Sequence, residues 1–418
     1  MRDTRQIITA AFVCLMNFIV HVDAVALESM RFNRLSVEQG LSQAVVQSIA
    51  QDHRGFIWIG TQQGLNRFDG NEFVSYYHDP AMPESLSHDW IWTLHLDRQG
   101  HLWIGTGGGL NRLIPGAGDV RPVFSQLSNG FAEKPIRVIA EDNQGTLWLG
   151  SDGAGVIRYE PDTEVLRQFV HDPEDPRSLS SDRVRALHVD VNGFVWVGTD
   201  GGGLNRLDPV SQRFTRIELE GNDSRVRFIT ADAEGDLWVA TTEHGLYRLD
   251  ASGTLKSHFT AGTGNGLSAN AIRVLFVDDR GTLWVGTDSH GLNRFDASTN
   301  RFEVLRHQPA NIYSLNDDHV TAMFQDRSGV IWVGTHVGAN SWNPHVGGFS
   351  TFRQLGEGEG ELTSNWIAGF AEAQESQLYV ATAGGGVNLV DLKTGWAEPV
   401  GPQTGPGSLA DNRVMALT

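Results

Sequence analysis

Apolar and polar positions in this chain change over in short runs, and no segment carries the 3.6-residue stripe of a long amphipathic helix. Runs that alternate or are wholly apolar are separated by Gly, Asp, Asn and Ser, the punctuation of strands and turns. Between residues 45 and 78 the segments VVQSIAQD, FIWIGT, GLNRFD and EFVSYYH read as four successive strands. The same order then returns down the chain. Tryptophan falls at 58, 103, 148, 196, 238, 284 and 332, with Tyr379 in an eighth place, at intervals of 45, 45, 48, 42, 46, 48 and 47. Each of the seven Trp has Asp six residues before, Gly three before, Gly or Ala two after, and then Thr or Ser. A four-stranded unit recurring every ~40 to 50 residues predicts an all-β fold, a β-propeller whose blades cover one another.

The frame has local work to do. Asp52 and its equivalents accept backbone N–H bonds in the turn between the first two strands, and Gly55 and its equivalents supply positive φ there. Each Trp is expected between neighbouring sheets, where an indole removes about 200 Å² from water.

Ring closure decides the domain boundaries. MRFNRL at 30–35 matches the outer strand of a repeat and precedes the first inner strand, so it is expected to complete the last blade. The seventh repeat replaces GLNRFD with GANSWNPHVGGF at 338–349, and the eighth has lost its Asp and Trp. The expected organisation is a signal peptide at 1–26, a seven-bladed β-propeller of four-stranded blades at 30–355, and the first blade or blades of a second, truncated propeller at 356–418. A single eight-bladed ring is the alternative. The closing SLADNRVMALT reads as an inner strand without its blade, so the sequence is expected to be a piece of a longer one.

The start of the chain alters the picture of compartment. Arg2 and Arg5 precede an apolar run from Ile7 to Val20, followed by Ala24-Val25-Ala26, the arrangement of an export signal cleaved after Ala26. The run is shorter than the ~20 residues of a spanning helix, and no second apolar stretch of that length follows, so no transmembrane segment is expected after cleavage. The one cysteine, Cys14, lies inside this signal, which leaves the mature chain without disulfides or a cysteine nucleophile. Glycine is abundant at 48 residues, but it is not periodic every third position and Pro is scarce, which excludes collagen and low complexity. A net charge of -18 argues against a surface that tracks nucleic acid.

The strings QDHRGFIWIGTQQGLNRFDG, LDRQGHLWIGTGGGLNRL and VDVNGFVWVGTDGGGLNRLD resemble the two-component regulator propeller repeat. The stretch from FNRLSVEQG to YYHDP is similar to the start of exported sensor regions of bacterial hybrid histidine kinases and diguanylate cyclases. The resemblance runs over about residues 30–418. It implies a periplasmic sensor of polysaccharide fragments or another small molecule, without catalytic activity in this chain. Family members carry two seven-bladed propellers, a small β-sandwich, a membrane helix and a kinase or cyclase output domain. The resemblance leaves room for a homodimer of the full-length sensor.

One inner-strand position stands out. After Val46, Ile91, Ile136, Val184, Val226, Ile272 and Val320 come Gln47, Trp92, Arg137, Arg185, Arg227, Arg273 and Thr321. Inner strands line the channel of a propeller, so four successive guanidiniums are expected near its mouth, where they suit a carboxylate or sulfate. A structural alternative stays open, since Asp152, Asp200 and Asp288 are placed to neutralise these arginines. Trp90, Trp92 and Trp366 lie beside the position, either to stack on sugar rings or to fill the channel. The candidate ligand-binding set is Arg137, Arg185, Arg227, Arg273, Trp92, Trp90 and Gln47. No cofactor, metal or catalytic residue is expected: there is no HExxH or CxxC, the glycine runs lack a following Lys-Ser or Lys-Thr, and D-x-x-G is too short for a calcium loop. The alternatives to a sensor are a propeller enzyme, lyase or glycosidase, and a periplasmic scaffold. Paired carboxylates at the channel mouth would favour the enzyme.

Overall fold

The computed structural model describes residues 30–82, 84–113, 120–122, 134–221, 225–344, 361–373, 376–392 and 396–400. The chain divides into two compact units, residues 1–346 and 347–418. The expected signal peptide at 1–26 and the segment 401–418 lie outside the described residues.

The first unit contains seven antiparallel four-stranded sheets, numbered here by their inner strands: Val46–Gln51, Ile91–Leu96, Ile136–Glu141, Val184–Val189, Val226–Ala231, Ile272–Val277 and Val320–Gln325. Each inner strand lies beside the next, and the seventh lies beside the first, so the series returns to its start. Six sheets are continuous in sequence. The seventh takes its outer strand from Asn33–Leu35, which pairs with Gly338–Trp342 in the register Asn33 to Ser341, Arg34 to Asn340 and Leu35 to Ala339. The Arg34 guanidinium fastens this junction by donating to the carbonyls of Ser314 at 2.9 Å and Asn311 at 3.1 Å.

The repeated frame accounts for the packing. All seven Trp are buried, and each sits on the inner and second strands of the next sheet. Trp148 packs with Val184, Leu187, Val195 and Val197, and Trp196 with Val226, Ile229, Leu237 and Val239. Trp332 packs with Val46, Ile49, Ile57 and Ile59, which seals the seventh sheet to the first. The indole N–H of each of these seven Trp is satisfied by the Asp six residues earlier, as in Trp196 to Asp190 at 2.9 Å and Trp103 to Asp97 at 2.7 Å. The other oxygen of Asp190 accepts from the backbone of Asn192 and Phe194, and Gly193 takes φ 84° in that turn. One carboxylate thus closes the turn and holds the ring on its neighbour. The small residue two positions after each Trp marks close approach between sheets. A Cβ at Gly198 would lie 2.5 Å from Val226, and one at Gly334 2.6 Å from Val46.

The second unit shows one four-stranded sheet, Ile367–Glu372, Gln377–Thr382, Gly386–Asp391 and Ala397–Val400, with Leu362, Val380, Val390 and Ala397 at its core. Tyr379 stands where the other repeats have Trp and is 36% exposed.

Candidate functional site

A backbone irregularity builds the site. In each sheet of the first unit, the pairing of inner and second strands shifts just after the apolar anchor: between Val46 and Ser48, Ile91 and Thr93, Ile136 and Val138, Val184 and Ala186, Val226 and Phe228, Ile272 and Val274, and Val320 and Ala322. Such a bulge sets two residues against one and re-aims the extra side chain. The residues skipped are Gln47, Trp92, Arg137, Arg185, Arg227, Arg273 and Thr321. All seven, with Trp90 and Gln62, line one cavity of about 540 Å³ enclosed by the seven inner strands. That volume lies in the ~300–1,000 Å³ range of small-molecule sites. The structure therefore brings the whole candidate set together, one bulged residue from each sheet plus Trp90.

Charge is distributed unevenly around the ring. Arg137 pairs with Asp152 at 2.7 Å, Arg185 bridges Asp152 at 3.2 Å and Asp200 at 3.0 Å, and Arg273 meets Asp288 at 2.6 Å. These are the ion pairs that the structural alternative expected, and they occur alongside the cavity. Arg183, at the rim, adds contacts to Asp152 at 3.4 Å and Asp200 at 2.9 Å. Burial alone would raise the Asp152 carboxyl. The hydrogen bond from Arg137 and the charges of Arg185, Arg137 and Arg183 outweigh it and hold the group below the usual carboxylate range. Four guanidiniums, of Arg137, Arg183, Arg185 and Arg273, share the three carboxylates of Asp152, Asp200 and Asp288, and a fifth, of Arg227, makes no ion pair among the described residues.

An aromatic wall stands on one side. Trp90 and Trp92 stack with centroids 4.5 Å apart and planes 24° apart, and the Arg137 guanidinium lies 3.5 Å from the Trp92 centroid on cation–π terms. Burial, followed by the nearby Arg185 charge, pulls the Arg137 pKa down against the pull of Asp152. Its Nε and the Trp90 indole N–H are buried donors without a partner. Elsewhere on the rim, His319 and His336 stack at 4.6 Å, with Nδ1 of His319 3.0 Å from Asp317. Thr321 is turned to hydrogen bonding, donating to the carbonyl of Val46 across the seventh and first sheets. Trp366 belongs to the second unit, where it is exposed, and is not among the cavity residues.

Arg183 escaped the sequence reading, although it lies two residues before Arg185 in the same inner-strand pattern. Gln62 was missed as well; it occupies the frame position of Asp152. Among the described residues, no group of three or more His, Cys, Asp or Glu could hold a metal, and no helix is long and apolar enough to cross a membrane.

Seven sheets around a cavity lined by one bulged residue from each define a β-propeller with an axial pocket of ligand size. The two component regulator propeller family matches residues 40–63, 85–108, 130–153, 178–201, 266–289 and 314–336, in six of the seven sheets, and the chain belongs to this family of repeat proteins. The extracellular domain of BT3049 from B. thetaiotaomicron, classed with hybrid two component systems, superposes with a TM-score of 0.70 at 26% identity over 93% of this chain and 50% of that one. The extracellular domain of BT4673 from the same organism gives 0.62 at 22% identity over 92% and 49%. This chain thus spans about half the length of both. Histidine kinase P4 of Formosa agariphila is 43% identical over 56 residues, 13% of this chain and 4% of the kinase. Virginiamycin B lyase from Staphylococcus aureus shares the fold at a TM-score of 0.57 and 14% identity, over 75% of this chain and 98% of the lyase.

Proposed function

We propose that this chain is the ligand-sensing propeller of an exported bacterial signalling protein, working in the periplasm and passing occupancy of its axial cavity to a kinase or cyclase output domain. The ligand is a carbohydrate or another small molecule with anionic character. One observation carries this reading: seven backbone bulges aim seven different side chains into one cavity, where cations outnumber anions and an indole pair forms a wall. A channel that only needed filling would be served by apolar side chains, whereas half-buried guanidiniums require partners and a fixed geometry. The carboxylates beside the cavity are bound to arginines, and the Asp152 carboxyl is held below the usual carboxylate range. They are therefore poor candidates for a general acid, and the site is read as one for binding.

Calorimetric titration of the purified chain with acidic and neutral oligosaccharides tests this directly. Binding of acidic ones, lost in the Arg137→Ala, Arg185→Ala double variant with its circular dichroism intact, is the expected result. If the double variant bound both kinds as tightly as the parent, the cavity would not be the site. Turnover of an acidic polysaccharide would replace the sensor reading by an enzymatic one.

A further inference from the structure

The four arginines of the ring are not equivalent. Arg137, Arg185 and Arg273 each meet a carboxylate supplied by the residue after the Thr or Ser that ends a second strand: Asp152, Asp200 or Asp288. In the fifth sheet that residue is Thr242. Arg227 accordingly makes no ion pair and no side-chain hydrogen bond among the described residues, although it lines the cavity and is half-buried. Burial, then the neighbouring Arg273 charge, draws its pKa down, with Asp288 opposing. The fifth sheet is also the one in the ring that the family repeat does not match. An uncompensated guanidinium facing a cavity is unfavourable until an anion arrives.

The aromatic wall has a matching asymmetry. Trp92 is covered by Trp90 on one side and by Arg137 on the other. Trp90 stacks on Trp92 alone and has no second ring or cation partner among the described residues. Among the described residues, Arg227 is thus a cavity arginine without an ion pair, and Trp90 a cavity indole with one face not taken by a ring or a cation.

Building on the cavity reading above, we propose that Arg227 anchors the acidic group of a sugar bearing a carboxylate or a sulfate, that the sugar ring stacks on Trp90, and that Thr242 sets this preference by withholding the carboxylate its equivalents supply.

The test is calorimetry of the full chain with three probes: an oligogalacturonate, a sulfated galactan oligosaccharide and a neutral galacto-oligosaccharide. Thr242→Asp gives Arg227 an internal partner, and affinity for the preferred acidic probe should fall about ten- to a hundredfold, with a smaller loss for the neutral probe. Arg227→Gln should do the same. Asp288→Thr, which frees Arg273, should instead tighten acidic binding severalfold. The ratio between the carboxylated and sulfated probes identifies the anion. Thermal melts verify that each variant is folded. If Thr242→Asp and Arg227→Gln left acidic affinity intact while the Arg137, Arg185 double variant abolished it, the anchor assignment would be wrong and the cavity reading would stand. If none of the three probes bound the parent chain, both would fall.

Discussion

The spaces between the sheets and the ring around the axis are built from the same repeats and treat them in opposite ways. Between sheets, Asp, Gly, Trp and a small residue recur seven times with little change, and each indole meets its Asp and the next inner strand in the same manner. On the axis, the equivalent bulged position holds Gln47, Trp92, four arginines and Thr321. Sheets that must pack against one another gain from sameness, because one solved interface can be copied. A small molecule has no such symmetry, so a site for it must break the repetition. Departures from the repeat at otherwise equivalent positions are therefore where chemistry is to be sought, and the step from Asp200 to Thr242 is one of them.

The contrast can be broken at its stable side first. Trp196 is fully buried against Val226, Ile229 and Val239, so Trp196→Ala should lower the unfolding free energy by about 3–5 kcal/mol in denaturant titrations. A loss under about 1 kcal/mol would show that the frame is not what holds the sheets together.

A smaller effect follows from His188. Burial, against a weaker pull from Asp190, lowers its pKa from the ordinary 6.5. The unfolded chain thus takes up a proton at this residue more readily than the folded one. Its contribution is complete above about pH 6.5 and declines as pH falls toward the folded value, with a slope of at most ~1.4 kcal/mol per pH unit. His188→Leu should flatten stability against pH in that window. An unchanged slope would mean that His188 is solvated.

The smallest effect is expected on the axis. Arg227→Met removes a charge without a partner, so stability should stay within about 1 kcal/mol of the parent or rise. A larger loss would reveal a structural role and narrow the contrast between ring and frame.

Much of this was legible in the sequence because it is periodic. The Trp intervals set the sheets, and aligning the inner strands on their apolar anchors picked out Gln47, Trp92 and the four arginines that share the cavity. What was hidden depends on partners. Sequence showed that Asp190 caps a turn, but not that its second oxygen takes the Trp196 indole N–H. A bulge is a relation between two strands, so the reason that Arg185 faces the axis became visible only with Gly198 and Thr199 beside it. The repeated Asn of GLNR read as part of a strand, yet Asn111 is fully buried and clasps the loop before its own sheet through Ser87. Trp366 aligned with the ring position, yet it lies in the second unit, within the segment that ring closure had set apart from the first propeller.

The junction at Asn33–Leu35 has a mechanical consequence. The chain enters the seventh sheet at Asn33 and leaves it at Trp342, and the antiparallel register puts these two points at the same end of the pairing. A pull between the segments flanking residues 30 and 344 therefore works first against the buried Met30 and Phe32, and then parts Asn33 from Ser341, Arg34 from Asn340 and Leu35 from Ala339, in the manner of a zip fastener. Tension from outside would thus part the outermost strand one rung at a time, long before it strained the cavity wall.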